Sequence, residues 1–199
     1  MTATLPPLIL ASGSRYRAAM LERLGIPFTV QTSGIDETPR PNESTDDLVR
    51  RLALDKASQI ADTAPGALVI GADQVAVLED RNIGERILGK PGNHRHAVEQ
   101  LNAMSGQTIR FLSGFSLLGP GIRRVDVVPT TMRMRRLTND EIERYVERDQ
   151  PFDCAGAMRS ESLGICLLDS LTSDDPTALI GLPLIRLAQW LREAGFALP

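Results

Sequence analysis

Short apolar runs alternate along this chain with longer stretches whose apolar residues recur every three to four positions, and that alternation predicts an α/β fold with a mixed sheet. Leu8 to Ala11 reads as a buried strand ending in Ser12-Gly13-Ser14. A helical pattern follows to Leu24, with Ser14 as its N-cap and Gly25 just past its end. Pro27 to Thr32 reads as a second strand, and the polar stretch from Gly34 to Glu43 as a loop. Ser44-x-x-Asp47 resembles a capping box for a helix from Thr45 to Ala61. Ala67 to Ala72 is a further buried strand with Asp73 at its end, Val75 to Leu78 continues as strand, and Glu79 to Gly89 reads as a turn or hairpin. A helix is expected from Asn93 to Met104, then two long strands, Thr108 to Leu118 and Arg124 to Arg135, around Gly119-Pro120-Gly121. Thr138-x-x-Glu141 caps a helix to Glu147, Asp175-Pro176 reads as an N-cap and N1 pair, and Pro183 to Ala194 forms a final amphipathic helix. No internal repeat or clean linker interrupts the pattern, which predicts a single domain over residues 1–199.

One position breaks the binary pattern. The apolar stripe of the Thr45–Ala61 helix is Val49, Leu52, Ala53, Ala57 and Ile60, and at ~100° per residue Lys56 falls inside it. A lysine on a buried face must snorkel outward or meet an anionic partner. Composition sharpens this. Of 22 basic residues only Lys56 and Lys90 are lysine, so most cationic positions use arginine. A lysine retained in such a chain suits a site that needs a compact ammonium rather than a planar fork.

The rest of the composition mainly excludes. A net charge of −3 and 4% aromatics give no basic, aromatic-interleaved surface for long nucleic acid. No apolar run approaches the roughly 20 residues that span a bilayer, and Met1 to Leu10 lacks a positively charged signal-peptide start. A cytoplasmic protein is expected. Cys154 and Cys166 are too few for a disulfide scaffold and are expected to be reduced thiols in or near the core.

Candidate chemistry gathers at a few places. Ser12-Gly13-Ser14-Arg15-Tyr16-Arg17 joins a strand to a helix, where free N–H groups, two hydroxyls and two guanidiniums suit phosphate oxygens; a capped turn with solvated arginines is the plainer alternative. Asp73, beyond a core strand, suits a divalent cation or the acceptance of a proton from water, and Glu37 is a second candidate carboxylate. Gly84-x-x-x-x-Gly89-Lys90 imitates a P-loop, but Pro91 stands where that loop needs Ser or Thr for magnesium. Lys90 remains a candidate point charge for phosphate. His94 and His96 diverge on a helix, lack a third ligand, and read as surface residues.

Several motifs in order, Leu10-Ala-Ser-Gly-Ser-Arg-Tyr-Arg17, Ile35-Asp-Glu-Thr38, Leu52-Ala-x-x-Lys-Ala57, Gly71-Ala-Asp-Gln-Val75, Gly89-Lys-Pro91, Cys154-Ala-Gly156 and Gly181-Leu-Pro183, resemble the Maf-like nucleotide pyrophosphatases from end to end. The resemblance implies a two-lobed α/β fold of the Maf/inosine-triphosphatase type, with an elongated mixed sheet flanked by helices and a nucleotide cleft between lobes. It also implies a nucleoside-triphosphate substrate cut between the α and β phosphates, a divalent metal (magnesium or manganese), and a homodimer. Tyr16, Gln74 and Glu161 match the positions that distinguish substrates within the family and look like the 7-methyl-GTP branch. An electron-rich ring at Tyr16 suits a cationic base, and Glu161 can accept from guanine N1 and N2. Ser12, Arg17, Lys56 and Lys90 are then expected to grip the triphosphate, with Asp73 as general base and Asp73 and Glu37 as metal ligands. The family's first motif usually carries Pro where this chain has Arg15. The same chemistry on UTP, dTTP or another modified nucleotide, and a non-catalytic nucleotide-binding regulator of cell division, remain as alternatives.

Overall fold

The computed structural model describes residues 5–80 and 84–199. The strands are β1 (Leu8–Ala11), β2 (Thr29–Val30), β3 (Leu68–Asp80), β4 (Gly84–Leu88), β5 (Thr108–Gly119), β6 (Ile122–Met134) and β7 (Leu168–Ser173). The α-helices are α1 (Arg15–Glu22), α2 (Thr45–Ala61), α3 (His94–Met104), α4 (Asn139–Asp149) and α5 (Leu184–Glu193). The sheet runs β2-β1-β3-β5-β6-β7, with β4 also paired to β3. It is mixed: β1 lies parallel to both β2 and β3, while β3–β4 and β6–β7 are antiparallel.

The chain divides into two compact units, residues 1–73, 113–128 and 175–199 in the first and 74–112 and 129–174 in the second. In the first unit the pleat sorts side chains by parity. Leu8, Leu10, Leu68, Ile70 and Ala72 pack with Leu21, Phe115, Leu187, Trp190 and Leu191, and the Phe115 and Trp190 rings stack with centroids 4.6 Å apart. Ile9, Ala11 and Val69 point the other way, onto Ala57 and Ile60 of α2. Helix α2 lies very close to the sheet because two strand positions carry no side chain. A Cβ on Gly71 would stand 1.9 Å from the Ala53 carbonyl oxygen, and one on Gly114 would stand 2.3 Å from that of Val49. Ser116 Oγ donates to the same Ala53 carbonyl at 2.9 Å. In the second unit α3 packs on α4, whose N-terminus carries a complete Thr138–Glu141 capping box.

Several expectations change. The two predicted strand pieces around Asp73 are one strand of 13 residues, so Asp73 lies within β3 rather than at its end. Tertiary pairing explains why the position still behaves as a strand end. The β1 ladder reaches only Ala11↔Gly71 and the β4 ladder begins at Ala76↔Leu88, so Asp73 falls between them. The second strand shrinks to two residues because short β1 offers pairing only to Thr29 and Val30. Asp175-Pro176 does not open an α-helix. Asp175 Oδ1 accepts from Thr177 N and Oγ1, and its Oδ2 accepts from Ile185 N at the start of α5. Arg15 begins α1 without the usual proline, because Ser14 supplies the cap by accepting from Arg17 N. Strand β7 was not anticipated; its sequence, Leu-Asp-Ser-Leu-Thr-Ser, has a weak apolar pattern and its residues are mostly exposed. Cys166 is exposed rather than near the core, Cys154 is half-buried, and neither is in a disulfide. Among the described residues no helix is long and apolar enough to cross a membrane.

Candidate active site

Strand β1 ends at Ala11, and the backbone turns through Ser12 and Gly13 into α1. Because β1 and β3 are parallel and stop pairing at Gly71, Ser12 and Asp73 both leave the same finished ladder. Both are buried. Arg17, almost one turn into α1, reaches back: its Nη1 donates to Ser12 Oγ at 3.2 Å and its Nε to the Gly181 carbonyl at 3.0 Å. Burial pushes the Arg17 guanidinium below its ordinary value, and the carboxylates of Asp73 and Glu37 oppose that shift.

Lys56 resolves the anomaly in the α2 stripe. It is buried, and its ammonium donates to Asp73 Oδ1 at 2.7 Å and lies 2.7 Å from Glu37 Oε1. The first unit thus brings together five of the predicted residues, Ser12, Arg17, Glu37, Lys56 and Asp73. Two carboxylates converging on one ammonium also fit the donor set of magnesium or manganese, which use one or two protein carboxylates and complete their shell with water and substrate phosphate. Among the described residues no group of three or more His, Cys, Asp or Glu is placed to hold a metal by itself.

Glu37 is held by a strap that sequence reading missed. Arg51 forks onto Glu43, Nε to Oε1 at 2.5 Å and Nη2 to Oε2 at 2.8 Å, and Nη2 also donates to the Thr38 carbonyl. The pair anchors the 38–43 loop to α2, five residues before Lys56. No motif marks it, since Glu43 and Arg51 are eight positions apart and one lies in the loop. The Arg51 fork holds the Glu43 carboxyl down at about 2, helped by the Arg40 amide. A carboxyl lowered from its ordinary 4.5 adds stability above that pH, and the contribution is lost as pH falls through about 2. Thermal melts across that acid window should therefore show a steeper fall for the wild type than for Glu43→Gln. Parallel curves would mean the fork contributes nothing to folding.

The other predicted residues lie on separate supports. Tyr16 is half-buried on α1. The Arg15 guanidinium sits 4.8 Å over its ring centroid, and Arg15 Nη2 donates to its hydroxyl at 2.8 Å. In the second unit, Gln74 is half-buried on β3, while Lys90, beyond β4, and Glu161 are exposed. The segment carrying Glu161 rests on a buried frame. Arg159 N donates to Tyr145 Oη, Arg159 Nη1 to the Asp149 carbonyl, and Ser162 Oγ to Asp149 Oδ1 at 2.6 Å. Burial raises the Tyr145 phenol above its ordinary range, keeping it a neutral donor to the Ala157 carbonyl. The P-loop resemblance dissolves as expected, with Gly84–Leu88 forming a strand. His94 and His96 are exposed, His94 near Glu143 and His96 on the Pro91 carbonyl.

The Maf-like protein family matches residues 7–194. A 7-methyl-GTP pyrophosphatase from Nitrosococcus oceani is 50% identical over 193 residues, 96% of this chain and 94% of its own length. A protein of the same description from Pseudomonas fluorescens is 49% identical, covering 97% of this chain and 99% of its own. Among solved structures, a HAM1 protein from Coxiella burnetii superposes with a TM-score of 0.55 at 16% identity, covering 95% of this chain and all of that one. The Staphylococcus aureus Ham1 protein gives 0.51 at 16% identity, covering 96% and 100%. These structures share the fold.

Proposed function

Because this chain belongs to the Maf-like protein family, we propose that it hydrolyses 7-methyl-GTP to 7-methyl-GMP and pyrophosphate. The observation that carries the chemistry is the meeting of Lys56, Asp73 and Glu37 beside Ser12 and Arg17 at the end of the β1–β3 ladder. The substrate is carried by the relatives' descriptions at about half identity over nearly their whole length.

Ser12, Arg17, Lys56 and Lys90 bind the phosphates. The guanidinium and the ammoniums oppose the negative charge that gathers on the leaving pyrophosphate, the Arg17 guanidinium from a preset position. Gly181 and Ser12 fix the Arg17 fork, which spares much of its side-chain freedom on binding. Asp73, which Lys56 holds in the nucleotide-free protein, accepts the proton of the attacking water. Glu37 and Asp73 would hold a divalent cation, which when bound supplies Lewis-acid polarisation and a more acidic water. Tyr16 stacks on the cationic base, while Gln74 and Glu161 read its edge. The protein acts in the cytoplasm, as a homodimer.

The test is pyrophosphate release from 7-methyl-GTP, GTP, UTP and dTTP with magnesium, manganese or a chelator. Metal-dependent hydrolysis selective for 7-methyl-GTP is expected. Preference for UTP or dTTP would overturn the roles given to Tyr16, Gln74 and Glu161. No release from any of the four would overturn the enzymatic reading in favour of a nucleotide-binding regulator.

A further inference from the structure

We infer that Lys56 is an internal counter-cation, occupying the carboxylates of Glu37 and Asp73 against a divalent metal until a triphosphate draws its ammonium away. The inference rests on the reading above that a divalent cation works at these two carboxylates.

The geometry sets up a competition. Lys56 Nζ lies 2.7 Å from an oxygen of each acid, as close as charge-assisted hydrogen bonds come. The Lys56 and Asp73 side chains are only 9% and 10% exposed, so solvent ions screen their pairing little. The local charges already balance. Two carboxylates face the Lys56 ammonium and the Arg17 guanidinium, whose charge both acids favour. A divalent cation approaching alone must displace the ammonium and remain beside both positive groups. No third acidic, histidine or cysteine ligand among the described residues offsets that cost.

A triphosphate changes each of these quantities. It brings anionic oxygens for the ammonium and the guanidinium, and further ligands for the metal. Lysine is suited to the exchange, because its compact charge rides on a flexible stem and can pass from carboxylate to phosphate. The Glu37 side chain is 59% exposed and so is free to follow a new partner. Nucleotide and metal then bind with positive, reciprocal coupling. The cation's chemistry would then be supplied only when substrate is bound.

The test is Mn²⁺ binding to the protein without nucleotide, read by electron paramagnetic resonance, together with thermal melts. The wild type should bind Mn²⁺ weakly. Lys56→Met should bind it about tenfold more tightly or better, within the usual range of coupling, and Mn²⁺ should raise the melting temperature of this variant more than that of the wild type. Lys56→Arg keeps the charge and should stay weak. Lys56→Gln is a second neutral variant, whose amide can still donate to Asp73 should the methionine variant fold poorly. Neutral variants that bind Mn²⁺ no more tightly than the wild type would overturn the inference. So would tight Mn²⁺ binding by the wild type alone, a result that needs no variant. Since the titration involves no nucleotide and no turnover, its failure alongside normal hydrolysis of 7-methyl-GTP sinks the counter-cation role and leaves the proposed function standing.

Discussion

Asp73→Asn should lower kcat for pyrophosphate release by about 10²–10⁴-fold, the usual contribution of a positioned acid or base. The substitution is nearly isosteric. Its amide oxygen can still accept from Lys56, and Lys56 keeps Glu37 as a charged partner. The fold should survive, as judged by melting temperature, and nucleotide should still bind, as judged by equilibrium titration. What disappears is the charge that accepts a proton and helps to hold a metal. Loss of kcat with binding retained would place Asp73 in the chemical step. Undiminished kcat would remove it from the mechanism, and loss of binding would make it a ground-state contact.

The second large effect is expected far from any reacting atom. Gly71→Ala would set a Cβ 1.9 Å from the Ala53 carbonyl oxygen and 2.9 Å from Ser116 Oγ. The nearest obstacle is helix backbone, which cannot swing aside as a side chain can, so α2 must move from the sheet. Overpacking of this kind costs about 1–3 kcal/mol or more. At ~2–4 °C per kcal/mol for a chain of this size, the melting temperature should fall by roughly 2–12 °C. Activity should fall too, because Lys56 lies on α2 three residues beyond Ala53. Gly34→Ala is the matched control: a Cβ there meets nothing within 4 Å, and its amide bond to Gln59 is kept. Equal stability of the two variants would mean that α2 is not seated against Gly71 as described.

Local pattern carried far in this protein because most of its elements announce themselves over a few residues. The caps at Ser14, Ser44 and Thr138 set the starts of α1, α2 and α4 through bonds spanning three positions. The parity of Leu8, Leu10, Leu68 and Ile70 against Ile9, Ala11 and Val69 assigned faces without knowledge of what covered them. The rarity of lysine, and its place in an apolar stripe, marked Lys56 as a residue that must either snorkel outward or meet an anionic partner.

Other features depend on which strangers in sequence become neighbours in space. Asp73 lies in mid-strand, yet the lengths of β1 and β4 leave it between the end of one ladder and the start of the other. The Arg17 fork is fixed by a carbonyl 164 residues away, and Glu37 is delivered by the Arg51–Glu43 strap. Strand β7 forms because β6 offers it an edge, although its own pattern is weak. By itself, then, the amino-acid sequence determined the α-helices with the caps at Ser14, Ser44 and Thr138, the faces of β1 and β3, and which side chains were candidates for chemistry, all properties of side-chain type and short-range spacing. Only the tertiary structure decided that Lys56 joins Glu37 to Asp73, since a contact across 17 or more residues depends on how long strands end and how closely a helix can approach two glycines.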